Sequence, residues 1–498
     1  MVASLGTLAL EPVLLNGQKV EFSSRPWTGE EFAGERRRIL QQSWPGGANI
    51  DFDEAIAYQQ SIPPERRWAD VRHRAQREGR SFVTPRLGYG RLEENVRSLQ
   101  GLVNDAGIGG ATIHIDSYTR WFQFDRAARL VEEEYRVGEN RLNGYAWAYY
   151  GYQRFREILE SVPIPIGTVG GGQDGRLWHE FSAAAGVTQG GGSFVPNPFT
   201  FTDNKLPLEQ ALWHGVYGLA MNRWYRERGV QLETGVRGCN SGTARPPSIT
   251  LALTLVELLT AADQGAANFN AKYYQHGAFL QDIAYLRALG PTCRRYLAQR
   301  GHPQADVTVT ASHYEGAFPR DPYKAMAVLC FQALTARLGG APELHSKSLE
   351  EGSQIPSHEA NLNTCKALRA MFDLLGDYEL PADVLAEETE MMEHEVRCLM
   401  DNMLDLGQGD ILAGFVRAIK TGTMEFPFSP SKHNAGQALM VRDSAGAARF
   451  LEVGNLPFDD RVLRFHRSKL ANEASLAQAD PWDLVLRSIR NVGALRVV

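Results

Sequence analysis

Residues 230–273 read VQLETGVRGCNSGTARPPSITLALTLVELLTAADQGAANFNAKY. The stretch begins and ends with runs typical of β-strands, VQLETG (230–235) and NFNAKY (268–273), and a helical pattern, SITLALTLVELLTAADQGA (248–266), lies between them. A strand, a helix and a second strand in this order predict a parallel βα unit. The stretch therefore predicts an α/β fold.

The same alternation extends over most of the chain. Two further helical patterns, 208–229 and 279–301, separate strand-like runs in the same way. Eight βα units would close a TIM (β/α)8 barrel, and an open, doubly wound sheet is the alternative. Because nine strand-like runs are present, one of them lies outside the barrel or is misassigned. The nine runs are FVTPR (82–86), ATIHID (111–116), LNGYAW (142–147), IPIGTV (164–169), GVTQ (186–189), VQLETG (230–235), NFNAKY (268–273), VTVTAS (307–312) and ELHSK (343–347).

The barrel occupies the middle of three predicted regions. Residues 1–80 are polar and helix-prone, and we predict an N-terminal helical arm whose charge-rich runs form solvated helical faces. Residues 81–360 form the barrel and carry the site. Residues 361–498 form a C-terminal α+β extension, in which long helices give way to segments punctuated by Gly and Pro.

Composition excludes several classes of protein. The net charge of −6 and the lack of a basic block argue against a nucleic-acid partner. No apolar run approaches the length of about 18 residues that spans a membrane, and the start, MVASLGTLALEPVLL, lacks the basic region of a signal peptide. The five cysteines are dispersed and odd in number, which is typical of reduced thiols. We therefore expect a cytoplasmic protein.

Familiar cofactor and metal motifs are absent or incomplete. GGGQDG (170–175) matches the dinucleotide pattern GxGxxG, but the acidic residue that should follow near position 195 is missing. The sequence has no P-loop, no HExxH pair and no GxSxG elbow, so we expect no metal site and no nucleophile of these kinds. A second glycine run, TQGGGSFVPNPFTFTDN (188–204), leaves three interpretations open: a phosphate cradle, a plain turn or the floor of a pocket.

Basic and polar residues stand where several predicted strands end. Arg86 ends FVTPR, His114 and Arg120 lie in HIDSYTR, and Lys347 ends ELHSK. The carboxyl ends of barrel strands hold the ligand site, and arginines that converge there bind carboxylates or phosphates bidentately. The alternative is that these cations pair with acids inside the barrel.

Nine blocks of the sequence resemble the large subunit of glutamate mutase (methylaspartate mutase), from near residue 30 to the C-terminus. The blocks are TPRLG (84–88), TIHIDSYTR (112–120), LNGYAWAYYG (142–151), QGGG (189–192), GTARPPS (242–248), QDIAYLRAL (281–289), KSLEEGSQIPSHEAN (347–361), FPFSPSKHNAG (426–436) and VRDSAGAARFLEVGNLPF (441–458). The resemblance implies a TIM barrel with helical and C-terminal additions.

The resemblance also implies a cofactor and a partner. In that family, adenosylcobalamin supplies a radical that takes hydrogen from glutamate, and the carbon skeleton rearranges to 3-methylaspartate. A separate small subunit with a DxHxxG motif carries most of the cobalamin, and this sequence contains no such motif. The family arrangement implies a homodimer of large subunits with two small ones, a heterotetramer.

Some family site residues are present unchanged. Arg86 and Arg120 match two of three arginines that hold the substrate carboxylates. Lys347 and Glu351 match the pair that holds the ribose of the cofactor. We also expect Gly190 and Gly191 on the cofactor side.

Five substrate-side positions depart from the family pattern. Val169 stands in place of the third arginine, and Gln189 in place of the glutamate that holds the substrate amino group. Val195 and Phe199 replace two tyrosines, and His114 replaces a threonine. Because the cofactor side is kept while the substrate side changes, we predict a related mutase with a different acid substrate.

The nature of that acid is left open. An acid without an amino group, such as a 2-oxo acid, or an acid with one carboxylate fewer would suit the losses. Alternatively, Arg237 or Lys272, which stand near strand ends, replaces the missing cation. Two other functions remain: true glutamate mutase activity, or a catalytically silent subunit that only binds the cobalamin-carrying partner.

Overall fold

The computed structural model describes residues 8–170, 174–200, 206–238, 245–376, 378–471, 480–493 and 495–497. Parts of several sequence features lie outside these ranges. They are the start of the arm (1–7), the centre of GGGQDG (171–173), the end of the second glycine run (201–204), and Cys239 with the beginning of GTARPPS.

Eight parallel strands form a nearly closed barrel. The first strand of the barrel pairs with the last, and the hydrogen-bonded ladder runs in the order β5-β4-β3-β10-β9-β8-β7-β6. This arrangement confirms the predicted TIM-like α/β barrel. The strands are β3 (Phe82–Leu87), β4 (Ala111–His114), β5 (Ile166–Val169), β6 (Gln189–Gly190), β7 (Glu233–Val236), β8 (Asn268–Tyr274), β9 (Asp306–Ser312) and β10 (Glu343–Ser346).

Alternation along a strand decides which side chains reach the inside of the barrel. In β8, Tyr273 faces outward and stacks on Tyr285 of a surrounding helix, with ring centroids 3.7 Å apart. Asn270 and Lys272 point to the other side, into the barrel cavity. A strand buried on both faces therefore delivers polar groups to the interior.

Helices surround the barrel and connect its strands. They are α4 (Leu92–Ala106), α5 (Ser117–Arg120), α6 (Phe124–Val137), α7 (Trp147–Glu160), α8 (Arg176–Ala185), α9 (Asn197–Thr200), α10 (Leu208–Arg226), α11 (Pro247–Asp263), α12 (Phe279–Gln299) and α13 (Pro322–Leu338).

The helix α11 is buried on all sides. Every residue from Pro247 to Ala262 is inaccessible to solvent, because the C-terminal extension covers the face that does not touch the barrel. This explains why the sequence is apolar around the whole helix.

The N-terminal arm closes the amino end of the barrel. It consists of a hairpin and three helices, β1 (Val13–Leu15), β2 (Gln18–Val20), α1 (Gly29–Ser43), α2 (Phe52–Ser61) and α3 (Trp68–Arg77). Arg72 of α3 is fully buried between Glu233 and Glu343, the first residues of two barrel strands, and its Nε lies 2.7 Å from the Glu343 carboxylate. The guanidinium also lies over the ring of Trp68, 4.5 Å from its centre. We call these three charged residues the Arg72 plug.

The C-terminal extension combines long helices with small hairpins, as the predicted fold class states. Its elements are α14 (His358–Leu375), α15 (Asp383–Gly407), α16 (Ile411–Thr421), β11 (Leu439–Arg442), β12 (Ala448–Glu452), α17 (Asp460–Ala471), α18 (Pro481–Arg490), β13 (Asn491–Val492) and β14 (Leu495–Arg496). None of the helices in the described ranges is both long and apolar enough to cross a membrane.

The ninth strand-like run, LNGYAW (142–147), is not a barrel strand. It makes only isolated bridges, Tyr89 with Asn143 and Ile115 with Tyr145, and then enters α7. Its Gly144 has φ +134° and packs against the backbone of Asp116, so the run bends where a strand would continue.

Candidate functional site

The carboxyl ends of the barrel strands surround a cavity of about 60 Å³. It is lined by Thr112, Gly167, Thr168, Val169, Trp178, His179, Ser182, Val187, Gln189, Gly190, Gly191, Ser193, Gly235, Val236, Arg237, Asn270, Lys272 and His345. A larger cleft of about 310 Å³ lies at the amino ends of the strands, and its described lining includes none of the predicted site residues. Ligands of parallel barrels bind at the carboxyl ends, so the first cavity is the candidate site.

Arg86 lies beside two histidines at the carboxyl ends of the strands, in a region next to the cavity that we call the mouth, because Arg86 and His114 pair with the lining residues Thr112 and Val169. The predicted residues Arg86, His114, Arg120, Lys347 and Glu351 are themselves not among the described lining residues. Its Nη2 is 2.5 Å from Nε2 of His114, and its Nη1 is 2.9 Å from Nε2 of His313. Burial lowers the pKa of His114 well below its usual value, and the charges of Arg86 and Arg120 lower it further. Burial likewise lowers the pKa of His313 to about 4. Both imidazoles are therefore neutral at pH 7.

Glu315 links Arg86 to the predicted cofactor residues. Its carboxylate lies 3.6 Å from Nη1 of Arg86 and 3.5 Å from Nζ of Lys347. Lys347 Nζ lies 3.9 Å from Glu351 as well. Burial raises the pKa of Glu315. The nearby charges of Lys347, His313 and Arg86 outweigh this effect and hold that pKa well below its usual range. The carboxylate of Glu315 is therefore ionised, and it joins Arg86, Lys347 and Glu351 in one continuous charged cluster.

Arg120 approaches the same mouth from α5. A Cβ at Gly170 would lie 2.9 Å from Cδ of Arg120, so the arginine lies against the end of β5, next to Val169. Burial lowers the pKa of Arg120, Asp116 opposes the shift and Arg86 adds to it. The positions predicted to hold substrate carboxylates thus meet at one place.

Gln189 is bonded into the floor of the cavity. Its Nε2 donates to Glu233 at 2.9 Å and lies 3.5 Å from Oδ1 of Asn270. Because Glu233 also pairs with Arg72, the amide is linked to the Arg72 plug. The amide donor of Gln189 is therefore already used within the protein.

The glycines after Gln189 allow close approach of backbone to backbone. Gly191 and Gly192 have φ of +61° and +69°. A Cβ on Gly191 would lie 2.9 Å from the carbonyl oxygen of Gly218, and one on Gly192 would lie 2.0 Å from that of Gly235. The run is thus a tight bend, and its first two glycines line the cavity, so of the three interpretations the pocket agrees with the structure.

Arg237 and Lys272 both line the cavity. Nη1 of Arg237 donates to the hydroxyl of Tyr274 at 2.9 Å. Burial lowers the pKa of Lys272 to about 7, Glu343 raises it, and Arg237, Arg72 and Arg86 lower it. Both candidates for the missing cation therefore face the site.

Comparison with known proteins gives the family. The family model described as methylaspartate mutase E chain matches residues 62–497. The chain belongs to the methylaspartate mutase E chain family. A glutamate mutase epsilon subunit from Desulfitobacterium hafniense is 32% identical over 478 residues, which are 95% of this chain and 98% of the relative. Those from Treponema denticola and Escherichia coli O157:H7 are 33% and 30% identical, covering 89% and 96% of this chain and 91% and 99% of theirs.

A solved structure, the carboxyl transferase domain from Rhizobium etli pyruvate carboxylase, is 11% identical and covers 78% of this chain and 66% of its own, with a TM-score of 0.28. This similarity is too low to bear on the site of a methylaspartate mutase E chain.

Two predicted substrate residues are packed in the core of the protein, away from the described cavity lining. Val195 is fully buried, and Phe199 stacks on Phe426 of the C-terminal extension with ring centroids 3.9 Å apart and planes 6° from parallel. Neither is among the described cavity-lining residues. Their apolar side chains pack the barrel against the extension.

Four polar residues in or next to the cavity were not predicted from the sequence. His313 and Glu315 follow β9, His345 lies in β10, and His179 lies in α8. His345 is within 2.8 Å of the Thr112 hydroxyl through its Nε2, and burial holds its pKa well below the usual value. The rule that finds Arg86, a polar residue at a strand end, would also have found His313 and Glu315.

A cluster outside the barrel has side chains that could hold a metal ion, although the sequence predicts none. The ligand atoms of His394, Cys398 and Asp459 lie within 4.8 Å of one another in the C-terminal extension. Nε2 of His394 is 2.7 Å from Asp459, and Arg397 donates to Nδ1 at 3.1 Å. Both imidazole nitrogens are therefore already hydrogen-bonded, and the cluster is fully explained as a polar contact.

Glu257 of α11 fastens the glycine bend to β7, and its removal is expected to loosen both. Its buried carboxylate accepts the backbone N–H groups of Phe194, of Val195 at 3.3 Å and of Arg237 at 2.6 Å. Glu257→Ala leaves these donors unsatisfied, at a cost of ~1–3 kcal/mol each. Hydrogen–deuterium exchange in peptides covering 190–195 and 235–238 should accelerate at least tenfold.

Thr254→Ala is the matched control, since the Thr254 hydroxyl bonds only within α11, to the carbonyl of Thr250 at 2.8 Å. Equal exchange rates in Glu257→Ala and the wild type would contradict the fastening role.

Proposed function

We propose that this chain is the large subunit of an adenosylcobalamin-dependent carbon-skeleton mutase. Its substrate would be glutamate or a related acid, including 2-oxo acids, and its product the branched 3-methyl isomer. The observation that carries the proposal is the charged cluster at the barrel mouth, where Arg86 meets Lys347 through Glu315. A predicted carboxylate-binding arginine and a matched cofactor residue thus belong to one charged cluster.

Arg86 and Arg120 would bind and orient the acid. Two guanidinium groups at the carboxyl ends of β3 and β4 can hold carboxylates by paired N–H donors. His114 and His313 are neutral, so they add no charge to the site and leave the arginines as its cations near β3. Orientation of the reacting carbon is the contribution a protein makes to such chemistry.

Lys347 and Glu351 would hold the ribose of the cofactor. The pair offers ammonium donors and a carboxylate acceptor, the groups that bind neighbouring hydroxyls. The side chain of Glu351 is 28% exposed and that of Lys347 is 7% exposed. The donor set therefore fits a hydroxylated group. When bound, adenosylcobalamin supplies the radical that removes hydrogen from the substrate.

The proposal includes a partner. The names of the relatives, epsilon subunit and E chain, point to an assembly of several subunits. We infer a small cobalamin-binding subunit with a DxHxxG motif, and a heterotetramer built on a homodimer of large chains. Such a partner would cover the carboxyl ends of the strands, on the side of the charged cluster.

The test combines the chain with its small subunit and adenosylcobalamin, then adds single acids. A cob(II)alamin signal in electron paramagnetic resonance is expected with at least one of glutamate, 2-oxoglutarate and related diacids. Formation of the complex without a signal from any acid would contradict the mutase and favour a silent subunit. The bonded amide of Gln189 and the apolar Val169 are the observations that keep that second function in view.

A signal with glutamate alone would identify true glutamate mutase. A complex that does not form would overturn the partner proposal.

A further inference from the structure

The cavity offers cations and neutral polar groups to an acid, but no carboxylate to an ammonium group. Among its described lining residues are Arg237, Lys272, the neutral His179 and His345, and hydroxyl and amide groups; no Asp or Glu is among them. A substrate amino group at neutral pH is an ammonium ion and needs an anionic or acceptor-rich partner once it is desolvated.

Four carboxylates around the described cavity are already paired with cations, and a fifth, Glu257, accepts three backbone N–H groups. Glu315 pairs with Lys347 at 3.5 Å, and Asp174 pairs with Arg176. Glu233 and Glu343 both pair with Arg72 below the floor. Taking any of these four for a substrate ammonium would leave a buried cation without its partner, which is costly.

Lys272 is the opposite case, a buried amine without an ion-pair partner among the described residues. In the described part of the structure its side chain has no hydrogen bond and no ion pair, although it lines the cavity beside Asn270 and His345. Its surroundings are mostly cationic or neutral. The charged and titratable groups that face it are Glu343 and His345 of β10, Arg237 of β7, Arg72 of α3, Arg86 of β3 and His179 of α8.

We propose that the cavity takes a 2-oxo diacid in preference to the corresponding amino acid, and that Lys272 makes the distinction by donating from Nζ to the oxygen groups of the acid. This inference rests on the proposed function. An amino acid would bring its ammonium toward Lys272 and Arg237 without a free carboxylate nearby. A carbonyl oxygen accepts a hydrogen bond in the same space and adds no positive charge.

The first test is binding of 2-oxoglutarate and of glutamate to the isolated chain, measured by calorimetry. We expect 2-oxoglutarate to bind at least tenfold more tightly than glutamate. Glutamate that binds as tightly or more tightly overturns the proposal, and so does the absence of binding of 2-oxoglutarate at millimolar concentration.

Binding should also move a proton. The pKa of Lys272 is lowered to about 7, so its amine is largely neutral at pH 8. A bound anion favours the charged form and raises that pKa, so the complex takes up close to one proton per ligand at pH 8, as an order-of-magnitude expectation. Calorimetry in buffers of different ionisation enthalpy measures the uptake. Binding without proton uptake at pH 8 overturns the role of Lys272.

Lys272→Met should weaken 2-oxoglutarate binding at least tenfold, abolish the proton uptake and narrow the preference over glutamate. Lys366→Met, at an exposed lysine of α14, is the matched control and should change none of the three. An unchanged preference in Lys272→Met overturns the proposal. If that variant does not fold, the wild-type preference and its proton uptake still decide. Because these readouts need neither the small subunit nor adenosylcobalamin, they can fail independently of the cob(II)alamin signal.

Discussion

Arg86→Lys is expected to lower kcat/KM about a hundredfold for any acid that gives the cob(II)alamin signal. Lysine keeps the positive charge but loses the planar pair of N–H donors, and a hydrogen bond to a charged group contributes ~1.5–3 kcal/mol. The guanidinium also orders His114 and His313, at 2.5 and 2.9 Å, so the mouth of the cavity loses its central contact. Steady-state kinetics with the complete complex measures the effect.

Arg91→Lys is the control for that experiment. Arg91 follows β3 closely in sequence, yet it pairs with Glu94 at 2.7 Å on the outer surface at the start of α4. Its replacement should leave kcat/KM within twofold. If Arg86→Lys behaved like this control, Arg86 would be a structural residue and the substrate would bind elsewhere.

Arg72→Met is expected to cause the largest loss of stability in the barrel. It removes a fully buried cation and leaves Glu233 and Glu343 as unpaired carboxylates, and breaking a buried ion pair in this way costs ~3–5 kcal/mol. The midpoint of thermal unfolding should fall clearly. Arg74→Met, at an exposed position of the same helix, should leave it nearly unchanged.

The loss of stability caused by Arg72→Met should depend on pH. In the wild type, burial raises the pKa of Glu343, but Arg72 and Lys272 outweigh this and hold it below its usual value; the pKa of Glu233 is raised by burial despite Arg72. Without Arg72 both pKa values rise, so folding favours the protonated forms. A raised folded pKa contributes stability at low pH that is lost as pH rises. The difference in unfolding free energy between the variant and the wild type should therefore become smaller as the pH falls. A difference that grew instead would contradict the pairing of Arg72 with Glu233 and Glu343.

The fold was predictable because its signals are local. Short apolar strands alternate with helical patterns, and all eight barrel strands overlap runs that the sequence marks. LNGYAW (142–147) has the composition of a strand, but Gly144 packs against the backbone of Asp116, a tertiary contact that no periodicity reveals. The burial of α11 on all sides also depends on a distant part of the chain, the C-terminal extension.

A site residue could be predicted from the sequence where its position along a strand determines where its side chain lies. Residues in the connecting segments were harder to predict. Arg86 and Lys347 end their strands, so topology alone brings them to one mouth. Phe199 follows a tight bend, and its direction depends on Phe426, 227 residues later in the chain, against which it stacks. Asn270 and Lys272 differ from Phe199 because the alternation of side chains along a single strand is enough to place both inside the barrel.

The hydrogen bond from Gln189 to Glu233 connects the floor of the cavity to the Arg72 plug. The Nε2 atom at 2.9 Å from Glu233 supplies a proton that a glutamate at position 189 would lack. A mutation of Gln189 to Glu would set two carboxylates side by side in a buried place, and one would have to take up a proton. Gln189→Glu is therefore expected to raise the pKa of Glu233 or of the new carboxyl group. Through Glu233, the residue at the floor of the cavity and the ion pairs at the amino end of the barrel belong to one electrostatic network.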